Sequence, residues 1–261
     1  MNKEITHQNK VESKSSPLGG AGGGLRKIKG GFSLSLQMIR YNLKIIFGNR
    51  FIYFLISAIV ITFFIVGVNL FNGDAMGEPG VYRVLILTGA LLLFYPAAFG
   101  IQSDKDARTL EIIFGIPDYR YRVWLMRLLL IYGVTIIILI LISELLRYTF
   151  VSFLVFEMIY QVLYPLAFLG FLTFFLSTIF KSGNSTAAVM IILGIVLLIL
   201  SENIEQRFWN IFFNPYGIPS NVSEMAWQSI TTKNRVFLGT GAIVFLLGGL
   251  MNLQNREKLL G

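Results

Sequence analysis

The sequence predicts an all-α polytopic membrane protein with six transmembrane helices, and three observations lead to this fold class. Hydrophobic residues make up 55% of the 261-residue chain and charged residues only 14%, against roughly a quarter charged in a soluble domain. The mean hydropathy is strongly positive, at +0.68. The apolar residues also form long runs, and about 20 helical residues are enough to cross the hydrocarbon core of a bilayer.

Six such runs follow one another along the chain, separated by polar or proline-containing stretches. The predicted spans are residues 51–71, 82–101, 123–146, 158–180, 185–200 and 236–253. Residues 148–180 form an apolar run that is too long for one span, and Glu157 and Gln161 divide it. Residues 148–157 are therefore predicted to form a short outer elbow. Pro96 and Pro165 are expected to kink spans two and four, because proline removes a helical hydrogen bond.

The first 50 residues contain two different segments. Residues 1–31 are polar, basic and glycine-rich, so they predict a disordered tail, and no apolar signal-peptide core follows the first charges. In residues 32–48, apolar residues and polar or basic residues recur side by side at helical spacing. This pattern predicts an amphipathic elbow helix in the membrane interface. Residues 32–255 form the predicted membrane domain, and residues 256–261 a short polar tail.

The positions of the basic residues predict the orientation. If the N-terminus lies inside, 17 of the 22 Lys and Arg residues lie on the inner side of the membrane. Positive residues are enriched in cytoplasmic segments. We therefore expect both termini inside, with the protein in the cytoplasmic (inner) membrane.

Several function classes are disfavoured by what the sequence lacks. The net charge of +8 does not indicate a nucleic-acid partner, because Lys and Arg occur mainly in the tail and in short segments between apolar runs. There is no cysteine, and the single histidine, His7, lies in the tail. Neither a metal-ligand cluster, nor a nucleophile–histidine pair, nor a GxxxxGK[ST] phosphate loop is present. We expect no catalytic residue, no metal site and no cofactor on this chain, and therefore no enzyme.

The predicted span centres contain no ionisable residue, and Arg235 falls just outside span six. Ion-coupled transport normally needs such groups in the membrane, which disfavours a secondary transporter or channel. Any uphill transport would then take its energy from outside the membrane domain, and the cargo would be hydrophobic or amphipathic. Mid-span aromatic residues are candidates for lining the route, with helix packing or lipid contact as the alternative. They are Phe63, Phe64, Phe94, Tyr95, Phe171, Phe174 and Phe175.

The loop at residues 102–122 is rich in charge and is the natural entry point for that energy. It predicts a short helix that Asp104 or Asp106 can cap and that Gly115 and Pro117 end. Its apolar side, which could dock on a protein, consists of Leu110, Ile113 and Phe114. On charge alone, a solvated loop that only fixes topology is the alternative.

The order of these features resembles the transmembrane subunit of ABC-2 type ATP-binding-cassette exporters over about residues 32–255. In that family the loop between spans two and three carries a coupling helix with the pattern acidic–x–(Gly/Arg)–Thr–Leu–Glu, then hydrophobic residues, a proline and a basic stretch. Here the pattern runs from Asp106 to Pro117, with Arg108 at the usual glycine, and the basic stretch includes Arg127. The apolar stretch Phe208 to Phe213 is similar to the family's half-inserted outer segment.

This resemblance implies an ATP-driven exporter whose ATP and Mg²⁺ are bound by a separate ABC ATPase subunit. A second copy or a paralogue would complete the substrate route. The implied coupling residues are Asp106, Arg108, Thr109, Leu110, Glu111, Ile113 and Phe114. Glu111 would hold the coupling helix to the ATPase or to the elbow helix, where Arg40 and Lys44 are candidate partners. The main alternative is a non-transporting anchoring or assembly subunit that binds a cytosolic protein through the same loop.

Overall fold

Six long helices make up most of the described chain. The structure is a computed structural model and describes residues 51–71, 76–106, 120–204 and 206–253. The helices are α1 (Phe51–Phe71), α2 (Glu78–Asp106), α3 (Met126–Thr149), α4 (Val155–Phe180), α5 (Gly183–Asn203) and α6 (Glu224–Asn252). A π-helical stretch, Arg120–Leu125, leads into α3. Each of the six is long and apolar enough to cross a membrane. The described residues contain no strand, so the all-α fold with six membrane-length helices is confirmed.

Side-chain contacts show which helix ends lie together. The backbone N–H of Gly183, at the start of α5, donates to Gln102 near the end of α2, and Asn252 at the end of α6 donates to Thr178 near the end of α4. We call this end, where α2 ends and α3 begins, the loop end. At the opposite end, the far end, Asn214 donates to the backbone of Pro79 near the start of α2.

Helices α2 and α4 form the centre of the bundle. In each of them 61% of the most apolar 18-residue stretch is buried, against 17–33% of the corresponding stretch in the other four helices. Helix α4 packs most extensively against α6 and α2. Close packing of membrane helices depends on small residues, and Gly249 of α6 is an example. A Cβ atom there would lie 2.6 Å from Cε1 of Phe174 and 3.5 Å from Cα of Phe175.

Some helix boundaries differ from the predicted spans. Helix α6 begins at Glu224, twelve residues before the predicted start of span six, because Ser223 caps it by accepting from the Ala226 N–H at 3.4 Å. The break between α3 and α4 covers only residues 150–154, whereas the sequence predicted an elbow at 148–157. Pro96 and Pro165 both lie inside uninterrupted helices.

The stretch Phe208 to Phe213 is not helical. It consists of turns in the segment between α5 and α6, and the side chain of Phe213 is fully buried. The Phe213 ring packs on Trp227, with ring centroids 4.7 Å apart. The stretch predicted to be half-inserted is, in the structure, part of a turn region packed on the far end of the bundle. We use this name for residues 206–223, which lie between α5 and α6.

Several predicted features fall on residues that the structure does not describe. The elbow helix at 32–48, with Arg40 and Lys44, lies outside the described residues, and so do the tails at 1–31 and 256–261. The coupling residues from Arg108 to Phe114 lie outside them as well. The inside location of both termini stays a prediction.

Candidate coupling site at the loop end

An ion pair joins the two helices that flank residues 107–119. Asp104 lies in the last turn of α2 and Arg127 in the first turn of α3. Arg127 Nη1 donates to Asp104 Oδ2, and the two side chains are 9% and 3% exposed. Removing two charges from water is costly and is compensated only by close pairing. The pair therefore holds the end of α2 against the start of α3.

This geometry gives Asp104 a role other than the predicted cap. The sequence predicts that Asp104 or Asp106 caps a separate short helix, and α2 continues through Asp106, so Asp104 lies inside a helix. Asp104 is therefore a buried ion-pair partner. Capping by Asp106 stays a prediction, because residues 107–119 lie outside the described ranges. Asp106, the only predicted coupling residue within the described part of the chain, is the exposed last residue of α2. Its Oδ2 accepts from Gln102 Nε2 at 3.5 Å.

Trp124 connects this ion pair to the rest of the bundle. The guanidinium carbon of Arg127 lies 5.2 Å from the centre of the Trp124 ring, a distance at which a cation is attracted to the ring face. On α4, Phe174 lies 6.3 Å from Trp124 between ring centroids. The buried cluster around them contains Ile101, Trp124, Leu128, Phe174, Leu250 and Leu253. Trp124 thus connects the ion pair to residues from α2, α3, α4 and the end of α6.

Polar contacts extend the site to α5. The side chain of Gln102 accepts the Gly183 N–H at 2.6 Å. Asn252 Nδ2 donates to the carbonyl of Thr178 at 2.9 Å, and lies 3.1 Å from its hydroxyl. Five of the six helices therefore meet at the loop end through specific contacts. A displacement of the end of α2 and the start of α3, which flank residues 107–119, would act on all five.

Two buried donors at this site lack an acceptor. Neither Trp124 Nε1 nor Arg127 Nε has a hydrogen-bond partner in the described part of the chain, although both atoms are shielded from solvent. A buried donor left unpaired costs about 1–3 kcal/mol. An acceptor supplied to these two atoms would therefore stabilise the loop end.

A second polar centre, which the sequence analysis missed, lies toward the far end. Arg235 was placed outside span six, but it lies inside α6 and is 7% exposed. Its Nε donates to Gln161 Oε1 at 2.7 Å, and its Nη2 to the Tyr82 hydroxyl at 3.3 Å. Within the described ranges no carboxylate forms an ion pair with it. Arg235 thus connects α2, α4 and α6 through neutral acceptors.

Neighbouring residues fasten the turn region to this centre. Asn234 Nδ2 donates to the carbonyls of Phe208 and Asn210, at 2.7 and 2.8 Å. The Tyr82 hydroxyl donates to the carbonyl of Phe213 at 3.1 Å. One signal for this centre was present in the sequence. The stretch from Glu224 to Leu238 has no proline or glycine, so a helix that starts after Ser223 includes Arg235.

The candidate lining residues lie in different parts of the bundle. Phe63 is 54% exposed on α1. Phe171 and Phe174 belong to the loop-end cluster around Trp124, whereas Phe94 packs in another cluster with residues of α4, α5 and α6. Tyr95 stacks on Phe54 of α1 at 4.7 Å between ring centroids. Apart from the pair in the loop-end cluster, the structure does not bring these side chains together within one chain.

Comparisons with protein-family models, with curated proteins and with solved structures found no match to this chain. The resemblance to ABC-2 permeases therefore stays a prediction from the sequence pattern.

Proposed function

We propose that this chain is the transmembrane permease subunit of an ATP-driven ABC exporter. Two copies, or one copy and a paralogue, form the substrate route. A separate ATPase subunit binds ATP and Mg²⁺ and engages the 102–122 loop. ATP binding and hydrolysis there move the helix ends and switch the route between inward-open and outward-open states.

The observation that carries this proposal is the construction of the loop end. A loop that transmits force needs stems that move as one body. The Asp104–Arg127 pair supplies that connection, because it is buried and joins α2 to α3. Trp124, Phe174 and Leu250 then pass a displacement to α4 and α6. A loop that only fixed topology would need no such buried connection to the core.

The chemistry of the buried Arg235 also favours an external motor. Arg235 is buried but is held by neutral acceptors, and guanidinium does not lose its proton at physiological pH. It is therefore unsuited to carry a proton through the bundle.

The first test is co-purification from native membranes. A tagged chain, extracted in maltoside detergent, is expected to bring with it an ATPase whose MgATP hydrolysis elutes with the complex. The double variant Leu110→Asp/Ile113→Asp is expected to lose that ATPase, because charge replaces two residues on the predicted apolar side of the loop. Met225→Asp is the control, since Met225 is 82% exposed at the start of α6.

The outcomes distinguish an exporter subunit from an anchoring subunit. Recovery of the ATPase with wild type and Met225→Asp, but not with the loop variant, supports the exporter. Recovery of a cytosolic protein without ATP hydrolysis would replace the exporter by the anchoring subunit. Equal recovery of the ATPase with the loop variant would show that it docks elsewhere.

A further inference from the structure

A cavity of about 640 Å³ opens at the far end, away from the candidate coupling site. Its lining comes from the start of α2, the end of α3, the 150–154 connection, the start of α4 and the turn region. The residues that matter for its chemistry are Glu78, Arg147, Tyr148, Phe153, Glu157 and Tyr216. Pockets of about 300–1,000 Å³ are the size that binds small organic molecules.

The charges around the cavity favour a cation. Arg147 is already paired, because its Nη2 lies 2.7 Å from Glu144 Oε2. Glu78 and Glu157 make no ion pair and no side-chain hydrogen bond within the described ranges. Another positive group, Arg235, lies inside α6 and is held by Gln161, Asn234 and Tyr82. Two carboxylates are therefore available to a ligand.

Both carboxylates act on one side chain of the cavity wall, that of Tyr216. Burial raises the pKa of its hydroxyl above the ordinary range, and the negative charges of Glu157 and Glu78 raise it further, while Arg235 acts in the opposite direction. Both carboxylates are thus close enough to influence one side chain on the cavity wall. A positive group placed beside Tyr216 would be attracted by both.

The walls favour an organic cation over a metal ion. Calcium takes six to eight oxygen ligands, and no group of three acidic or other metal-binding side chains occurs among the described residues. Tyr216 instead contributes aromatic surface. Phe153 is buried, and the Tyr148 ring already carries Arg147, whose guanidinium carbon lies 5.2 Å from the ring centre. Aromatic faces attract ammonium groups and also cover apolar substituents.

We propose that this far-end cavity binds an alkylammonium group attached to an apolar body, with Glu78 and Glu157 supplying the charge and Tyr216 the aromatic contact. The ligand is either a free organic cation or the choline headgroup of a phospholipid, which present the same chemistry. The site goes beyond the proposed exporter and does not depend on it, because the chain alone provides the residues.

The test is a ligand-observed NMR titration of the purified chain in maltoside detergent. The probe is benzyltrimethylammonium, and the comparison ligand is benzylsulfonate, which has the same aromatic body and a tetrahedral head of opposite charge. Wild type is expected to bind the ammonium saturably and the sulfonate at least about tenfold more weakly. A partly exposed charge contributes up to about 1 kcal/mol, so Glu78→Gln and Glu157→Gln are each expected to weaken ammonium binding about three- to fivefold, and the double variant at least about tenfold.

The matched control is Glu224→Gln, which removes an exposed carboxylate from the first turn of another helix at the same end. It is expected to bind like wild type. Both cavity carboxylates lie in the first turn of a helix, where a negative charge is mildly stabilising. Each glutamine variant should therefore lower the melting temperature only slightly, as Glu224→Gln does. Should the double variant fail to fold, salt supplies a second measurement, since added NaCl screens partly exposed charges and must weaken ammonium binding to wild type.

Competition with glycerophosphocholine identifies the source of the ligand. Displacement of the probe assigns the site to a lipid headgroup, and no displacement assigns it to a free organic cation. Equal binding of the ammonium and the sulfonate, or unchanged ammonium binding in the double variant, would overturn the proposal. Since no ATPase is present, a negative result here leaves the exporter proposal to its own test.

Discussion

Asp104 and Arg127, 23 positions apart in the sequence, form a buried ion pair that joins α2 to α3 beside the predicted coupling loop. The pair lies on a cluster that includes Trp124 and Phe174. The contact explains how a loop whose sequence indicates a docking function could be mechanically connected to the bundle. The stability of the loop end should therefore depend on the pair.

Asp104→Asn is expected to destabilise the protein by about 3–5 kcal/mol, because it leaves the guanidinium of Arg127 buried without its counter-charge. The measurement is thermal unfolding in detergent micelles. Asp106→Asn is the control, since Asp106 is exposed and only two positions away. The apolar double variant Asp104→Leu/Arg127→Met should recover most of the loss. Equal melting temperatures for Asp104→Asn and Asp106→Asn would contradict this role.

Close packing of α6 on α4 makes a second prediction. Gly249→Ala is expected to cost about 1–3 kcal/mol, because the added methyl group meets the buried ring of Phe174 and overpacked sites must shift. Gly133→Ala is the matched control, since no atom lies within 4 Å of the added Cβ. Its melting temperature should equal or exceed that of wild type. If both variants melted alike, the α4–α6 contact would be looser than described.

The turn region provides a third prediction. Asn234→Leu leaves the carbonyls of Phe208 and Asn210 without their shared donor, and each buried unpaired group costs about 1–3 kcal/mol. Backbone amide exchange in residues 206–213 should become faster, while exchange at the loop end stays unchanged. Asn221→Leu is the control, because within the described ranges its side chain forms one hydrogen bond, from the exposed Gln206 at 3.5 Å. Unaltered exchange in the Asn234 variant would show that other contacts hold the segment.

The spans could be predicted from the sequence because apolar runs report directly on burial in lipid. The run at 51–71 coincides with α1. Boundaries were less certain where polar residues lie inside a helix. The sequence pattern places Arg235 at the end of an outer segment. It does not reveal that Gln161 and Tyr82, on two other helices, accept hydrogen bonds from its guanidinium.

The same limit applies to the candidate site. The loop pattern around Thr109-Leu110-Glu111 is local and could be recognised. The partner of Asp104 could not, because pairing with Arg127 depends on where the end of α2 and the start of α3 lie in space. The far-end cavity could not be predicted from the sequence either, since its walls come from three separated stretches of the chain, at Glu78, residues 147–157 and Tyr216.

Alkaline pH supplies a fourth prediction. Burial, assisted by Glu157 and Glu78, raises the pKa of the Tyr216 hydroxyl in the folded protein. The folded state therefore keeps its proton where the unfolded chain loses it, near pH 10. The stabilisation is complete below about pH 10 and is lost as the pH rises toward the folded pKa. In denaturant unfolding between about pH 8 and 11, Tyr216→Phe should lose stability less steeply than wild type, and parallel curves would exclude this contribution.

The most direct test of the proposed function is the ATP turnover of the permease–ATPase complex in liposomes, measured relative to the isolated ATPase. Glu111 is the residue of the Thr-Leu-Glu pattern assigned to coupling. Glu111→Ala should therefore leave the complex assembled but lower the permease-dependent change in ATP turnover by about tenfold, the order of magnitude common for effects between two sites. Glu224→Ala, at the far end, should behave as wild type. Unchanged turnover in the Glu111→Ala complex would contradict coupling through this loop.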